Sequence, residues 1–162
     1  MPFLCLLPIS LLLSGGPTHK ELPNPEPTPI NKTLLLQLVN DARKKGMQCG
    51  DTFYPATSPI AWNNQLEMAA AVHSNDMYVN NYFAHASTEG HKAGTRIERV
   101  GYSWRTYGEN IAFGQRTERE VMQGWLKSPG HCKNIMSKTF KEMGVSRAGN
   151  YWTQVFATKL HN

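Results

Sequence analysis

Two segments of this 162-residue chain carry side chains able to move a proton together. His85 closes the string Tyr82-Phe83-Ala84-His85, and Glu109 opens Glu109-Asn110-Ile111-Ala112 directly after Gly108. An imidazole and a carboxylate from different segments can share a proton, and with a third donor they begin a metal site. A third segment, Trp125 to Met136, holds Ser128 and His131, and a fourth runs from Tyr151 to Phe156. The chain has no Gly-x-Ser-x-Gly elbow, no His-Glu-x-x-His helix and no paired-acid motif. Cys132 beside His131 raises the alternative of a thiol nucleophile. Adjacent residues on a helix point about 100° apart, however, which suits a shared proton poorly.

Such residues need elements to aim them. A helix is predicted over Thr33 to Lys45, where Leu35, Leu38, Val39 and Ala42 form an apolar stripe and Gly46 follows as a stop. A second runs from Asn64 to Asn80, with Leu66, Ala70, His73 and Met77 on one face. That face makes His73 a core histidine bonded to backbone. A short helix is expected from the Thr95-x-x-Glu98 capping box to Val100, and another from Thr117-x-x-Glu120 to Lys127. Ser128-Pro129 then starts a separate helix reaching Met136. Met47 to Ala61 reads as loop, and so does the segment around His91. Asn110–Phe113 is a short strand candidate, while Lys141–Arg147 and Tyr151–Lys159 flank a glycine turn as a hairpin. The four tryptophans are expected to anchor the core, with Trp104, Arg105 and Tyr107 as alternative groove lining. The pattern is α+β, with helices on a small antiparallel sheet.

The first thirty residues read differently. Phe3 to Leu13 is an apolar run too short to span a bilayer, and Ser14-Gly15-Gly16 follows it, so residues 1–16 read as a signal peptide. Five prolines at 17, 23, 25, 27 and 29 make residues 17–30 a stiff, extended linker. The folded unit is then 31–162, secreted or extracytoplasmic, with no transmembrane span in the mature protein. Loss of Cys5 with the signal leaves Cys49 and Cys132, an even count that suggests a disulfide in an oxidising compartment. Net charge is +5, and the longest basic run is only Arg43-Lys44-Lys45. That run is read as a solvated face and is too short for a nucleic-acid footprint.

Four strings occur together in order: YFAH at 82–85, GYSWRTYGENIA at 101–112, GWLKSPGHCKNIM at 124–136 and YWTQVFA at 151–157. Together they resemble the CAP superfamily of cysteine-rich secretory, antigen 5 and pathogenesis-related 1 proteins, and especially its bacterial secreted SCP-like branch. The resemblance implies an α-β-α sandwich with a central antiparallel sheet and a groove on one side. It also implies a groove tetrad of two histidines and two glutamates, sometimes holding zinc. His85 matches the first histidine and Glu109 the first glutamate. The second glutamate position is Ser128, and the second histidine position is Tyr151. His131 is the bacterial-type replacement able to face the same groove. His85, Glu109 and His131 are therefore the candidate zinc ligands, one short of a closed structural site.

Two functions follow as expectations. The first is a non-catalytic binding or structural module of the cell envelope or extracellular medium, taking a lipid, a wall polymer or a protein. The second is an envelope hydrolase, with Glu109 as general base and His85 and His131 holding a metal or polarising the substrate. A third, bland reading makes His85, Glu109 and Ser128 a buried hydrogen-bond network.

Overall fold

The computed structural model describes residues 28–160. Its elements, in chain order, are α1 (Lys32–Lys45), β1 (Met47–Cys49), β2 (Thr52–Tyr54), β3 (Ala61–Trp62), α2 (Asn64–Asn80), α3 (Ala93–Arg99), β4 (Trp104–Phe113), α4 (Glu118–Lys127), α5 (Pro129–Met136), β5 (Glu142–Ala148) and β6 (Tyr151–Lys159). The helix starts follow local chemistry. Asn31 accepts the N–H of Leu34, Asn63 accepts those of Gln65 and Leu66, and the Thr117 hydroxyl accepts that of Glu120. Glu120 reaches back one residue further than a capping box requires, to the N–H of Arg116.

The main sheet has the order β3-β5-β6-β4. β6 lies between β5 and β4 and is antiparallel to both, while the two-residue β3 adds in parallel to β5. β6 is buried on both faces, and its alternation sorts the layers. Trp152 and Phe156 join Met143 and Val145 against Leu35 and Val39 of α1, Val121 and Trp125 of α4 and Ile135 of α5. Val155 and Ala157 point the other way, onto Leu66, Ala69 and Ala70 of α2 and Ile97 of α3. The result is the α-β-α sandwich. Its closest approach is at Gly144, where an added Cβ would stand 2.1 Å from the backbone nitrogen of Glu67. Only a residue without a side chain lets α2 settle onto β5 there.

Several expectations are corrected. α3 begins at Ala93, so Thr95 is no cap, and Lys92 at that position makes no side-chain capping bond. Burial of Ala93 and Gly94 lengthens this helix beyond what its sequence signals mark. β4 begins six residues before the expected Asn110, because the segment from Trp104 pairs with the end of β6. The expected loop at 47–61 contains the β1–β2 hairpin and β3, strands of two or three residues that are too short for a periodic signal. Arg43, read as part of a solvated face, is fully buried and donates to the carbonyls of Ser58, Ile135 and Ser137.

Cys49 and Cys132 form a disulfide, which ties β1 to α5. Residues 28–30 lie against the domain. The N–H of Thr28 donates to the Arg147 carbonyl, its hydroxyl accepts from Gly149, and Ile30 packs on the α1 side of the core. The last three residues of the expected linker are therefore attached, while the signal-like run and residues 17–27 lie outside the described residues. Among the described residues, no helix is long and apolar enough to cross a membrane.

Candidate functional site

Glu109 sits on β4, the edge strand of the sheet, with Ile111 two residues on and facing the α2 layer. Its carboxylate is only 5 % exposed. One oxygen accepts from the Arg96 guanidinium at 2.5 Å. The other faces His85 Nδ1 at 2.8 Å. A carboxylate can only accept, so the imidazole donates through Nδ1–H and turns Nε2 outward. The His85 side chain is 59 % exposed, so a buried acid holds an accessible base.

Arg96 is the residue that sequence reasoning missed. Its side chain is 3 % exposed and makes two further hydrogen bonds besides its pairing with Glu109. It donates to the carbonyls of His91 at 2.7 Å and His85 at 3.2 Å, and so grips the loop on either side of Ser87 as well as the carboxylate. α3 carries it to this point because Trp104 and Tyr107 of β4 close over Gly94, where an added Cβ would lie 2.7 Å from the Tyr107 ring. Trp104 also donates its indole N–H to the Gly94 carbonyl. Trp104 and Tyr107 thus anchor α3 to the sheet. The one sequence signal for Arg96 was a charge adjoining the apolar Ile97 in a seven-residue helix.

The loop bearing His85 is held from α2. His73, buried in that helix, donates from Nε2 to the Ala84 carbonyl at 2.9 Å, as its apolar face predicts. Its Nε2 is also 4.0 Å from Glu109 Oε1. Burial depresses the His73 pKa, opposed by the pull of Glu109 and reinforced by Arg96. Asp76, one turn on, accepts from the Tyr82 hydroxyl, from both the N–H and the hydroxyl of Thr88, and from Asn80. Burial alone would raise its pKa, but these donors outweigh it and leave the group below the ordinary carboxylate range. The Tyr82 phenol is pushed up by burial and by the Asp76 charge.

The other expected site residues divide. The pKa of the half-buried His131 is depressed, by burial first and by the His85 charge second, which favours its neutral form. Two asparagines fix its helix. Asn110 donates to the His131 carbonyl at 3.2 Å, and Asn134 donates to the Glu109 carbonyl at 3.1 Å and to Asn110 Oδ1 at 2.9 Å. Tyr151 is buried against Phe113, with ring centroids 4.6 Å apart, and its hydroxyl donates to Asn81. Its strand partner is Phe113, four residues from Glu109, about 13 Å along the strand. Ser128 takes the N-cap position of α5 without a side-chain capping bond. Arg96 occupies the place in the Glu109 network that was expected for Ser128. His91, in a segment read as loop, lies by Glu89 at 3.1 Å and accepts from Arg99 at 2.7 Å.

A family model describing the cysteine-rich secretory protein family, CAP, matches residues 36–158. The chain belongs to the CAP family. This domain is 39% identical to the Bacillus subtilis protein YkwD over 127 residues, which cover 77% of the chain and 46% of that protein. It is 33% identical to the Bacillus subtilis membrane protein YlbC over 97 residues, 60% of the chain and 28% of that protein. The chain thus spans less than half the length of either curated relative. Among solved structures, an extracellular SCP-domain protein from Bacillus anthracis superposes with a TM-score of 0.69 at 32% identity, over 78% of this chain and 40% of that one. An outer surface protein from Borrelia burgdorferi shares the fold, with a TM-score of 0.71 at 17% identity over 84% of this chain and 99% of that one.

Zinc, which the CAP family implies, does not fit the donors present. Both Glu109 oxygens are already taken by Arg96 and His85. The second glutamate position is a serine and the second histidine position a tyrosine facing Asn81. Among the described residues, no three His, Cys, Asp or Glu side chains are grouped for a metal. Two imidazoles alone fall short of the three protein ligands of a catalytic zinc.

Proposed function

We propose that this is an exported CAP domain whose groove recognises a component of the cell envelope without transforming it. The state of Glu109 carries the reading. A general base must meet a substrate or a water with a free oxygen lobe. Glu109 is nearly inaccessible, and its two oxygens hold a buried arginine and position an imidazole. Its work is structural, and what it presents outward is the ring of His85. Phe83, two residues before His85 on the same loop, is 52% exposed, and its ring centroid lies 6.3 Å from that of the equally exposed Phe113. An exposed imidazole on a loop that also carries an accessible aromatic face suits recognition by hydrogen bonding and stacking. The signal-like start, the proline-rich segment after it and extracellular relatives support the envelope setting.

The test is retention of the tag-free protein on Bacillus subtilis wall and membrane fractions at physiological salt. Retention is expected and should fall about tenfold in a Phe83→Ser, His85→Ala double variant. Retention by no fraction, or equal retention of the variant, removes the reading. So does one zinc per chain together with envelope hydrolysis that Glu109→Ala abolishes.

A further inference from the structure

The basic run ending α1 has no part in the site above, yet it organises a second concavity. Arg43, fully buried, donates to Ser58 on one wall and to Ile135 and Ser137 on the other, at 2.8 to 2.9 Å. This one guanidinium ties the segment 55–60 to the C-terminal end of α5. The Cys49–Cys132 disulfide holds the same helix to β1. Between the tied walls lies a cleft of about 380 Å³, and a second of about 500 Å³, between α1 and residues 56–59, adjoins it through Ala56 and Thr57. Tyr54, Pro55 and Met136 give the first an apolar lining, and Lys133 and Lys138 border it. Asp41 and Lys44 supply the charges of the second. Phe53, 60% exposed, packs beside Gly46 near Ala56 at the margin.

We infer that this groove docks an extended acidic peptide segment of a partner protein, seated by one apolar side chain in the first cleft. The charges along the groove are three lysines against one aspartate, so the complementary ligand is acidic. The apolar cleft falls in the size range of ligand pockets, about 300–1,000 Å³, and requires a side chain that a uniform polyanion lacks. A flat membrane surface would leave both concavities unfilled, and the aspartate at one end opposes a continuous run of phosphates. Walls already fixed by Arg43 and the disulfide lower the ordering cost of binding. The groove shares no residue with the His85 site, so this inference stands apart from the proposed function.

Selection of a displayed library of random twelve-residue peptides on the oxidised, full-length protein tests it. The expected winners carry one Leu, Ile, Met or Phe flanked by Asp or Glu. A synthetic winner should bind a Lys133→Glu, Lys138→Glu double variant about tenfold more weakly, and selection on that variant should return basic flanks. Both lysines are exposed, and circular dichroism confirms that the variant folds. No enriched sequence, enrichment without acidic flanks, or equal binding to the variant overturns the inference. Lysine-dependent retention on phosphatidylglycerol vesicles or polyphosphate, with no peptide selected, overturns it in favour of a different partner.

Discussion

Replacing Arg96 by methionine tests the organisation of the site most directly. The substitution keeps the aliphatic stem and removes the guanidinium. Glu109, 5% exposed, then keeps a buried charge with no cation, and the loop loses donors to the His85 and His91 carbonyls. Removing one partner of a buried ion pair costs about 3–5 kcal/mol. For a chain of this length that corresponds to a fall in Tm of about 10–20 °C. Glu109→Gln should cost a comparable amount, because Arg96 is then the uncompensated charge. The Arg96→Met, Glu109→Gln double variant buries neither charge, so its loss should be smaller than the sum of the singles by about 2 kcal/mol or more. Urea titrations of the four proteins close the cycle. A cost below about 1 kcal/mol for Arg96→Met, or additivity within about 0.5 kcal/mol, refutes the idea that this pair holds the site together.

Two further outcomes follow from the same structure. Removing the disulfide by Cys49→Ser, Cys132→Ser opens a cross-link with a sequence separation of 83, and by chain-entropy reasoning should cost about 3–5 kcal/mol in urea titration. Unchanged stability there contradicts a closed cross-link, as does alkylation of both cysteines in the unreduced, denatured protein. His73 and His131 are both held neutral in the fold, with pKa values below the ordinary histidine value. The unfolded chain takes up their protons first, so the stability they confer is complete above about pH 6.5 and is lost as pH falls below it. Asp76, also depressed, confers stability above its ordinary value that is lost only in stronger acid. Tm should therefore drop between pH 7.5 and pH 5, and less steeply in His73→Gln. A rising Tm over that interval, or an identical slope in the variant, contradicts this assignment.

Much of the fold was legible because its signals are local. Asn63 to Asn80 has an apolar face and a cap, and the hairpin of β5 and β6 has its turn residues between two apolar runs. The strings around His85 and Glu109 pointed to two side chains that do meet. What was not legible depends on contacts distant in sequence. The first half of β4 is a strand because β6 pairs with it, and α3 starts early because Trp104 and Tyr107 cover its first turn. Arg43 read as part of a solvated face, and no sequence reading singled out Arg96. Each is buried because backbone carbonyls from several segments converge on it, an arrangement that no spacing rule reports. Tyr151 was placed in the groove by its position in a string, but its strand register carries it to Phe113 instead.

The position of β6 has a consequence for how the domain is made. It is the middle strand of the three antiparallel ones, it separates the two helical layers, and among the described residues every other helix and strand precedes it. A polypeptide emerging N-terminus first, from a ribosome or through a pore, can form helices as it appears but cannot seat β4 beside β5 until residues 151–159 have followed. The two layers lack their common wall until then, and their apolar faces stay open to water or to a holding partner. Folding of this domain is thus deferred until residues 151–159 have emerged.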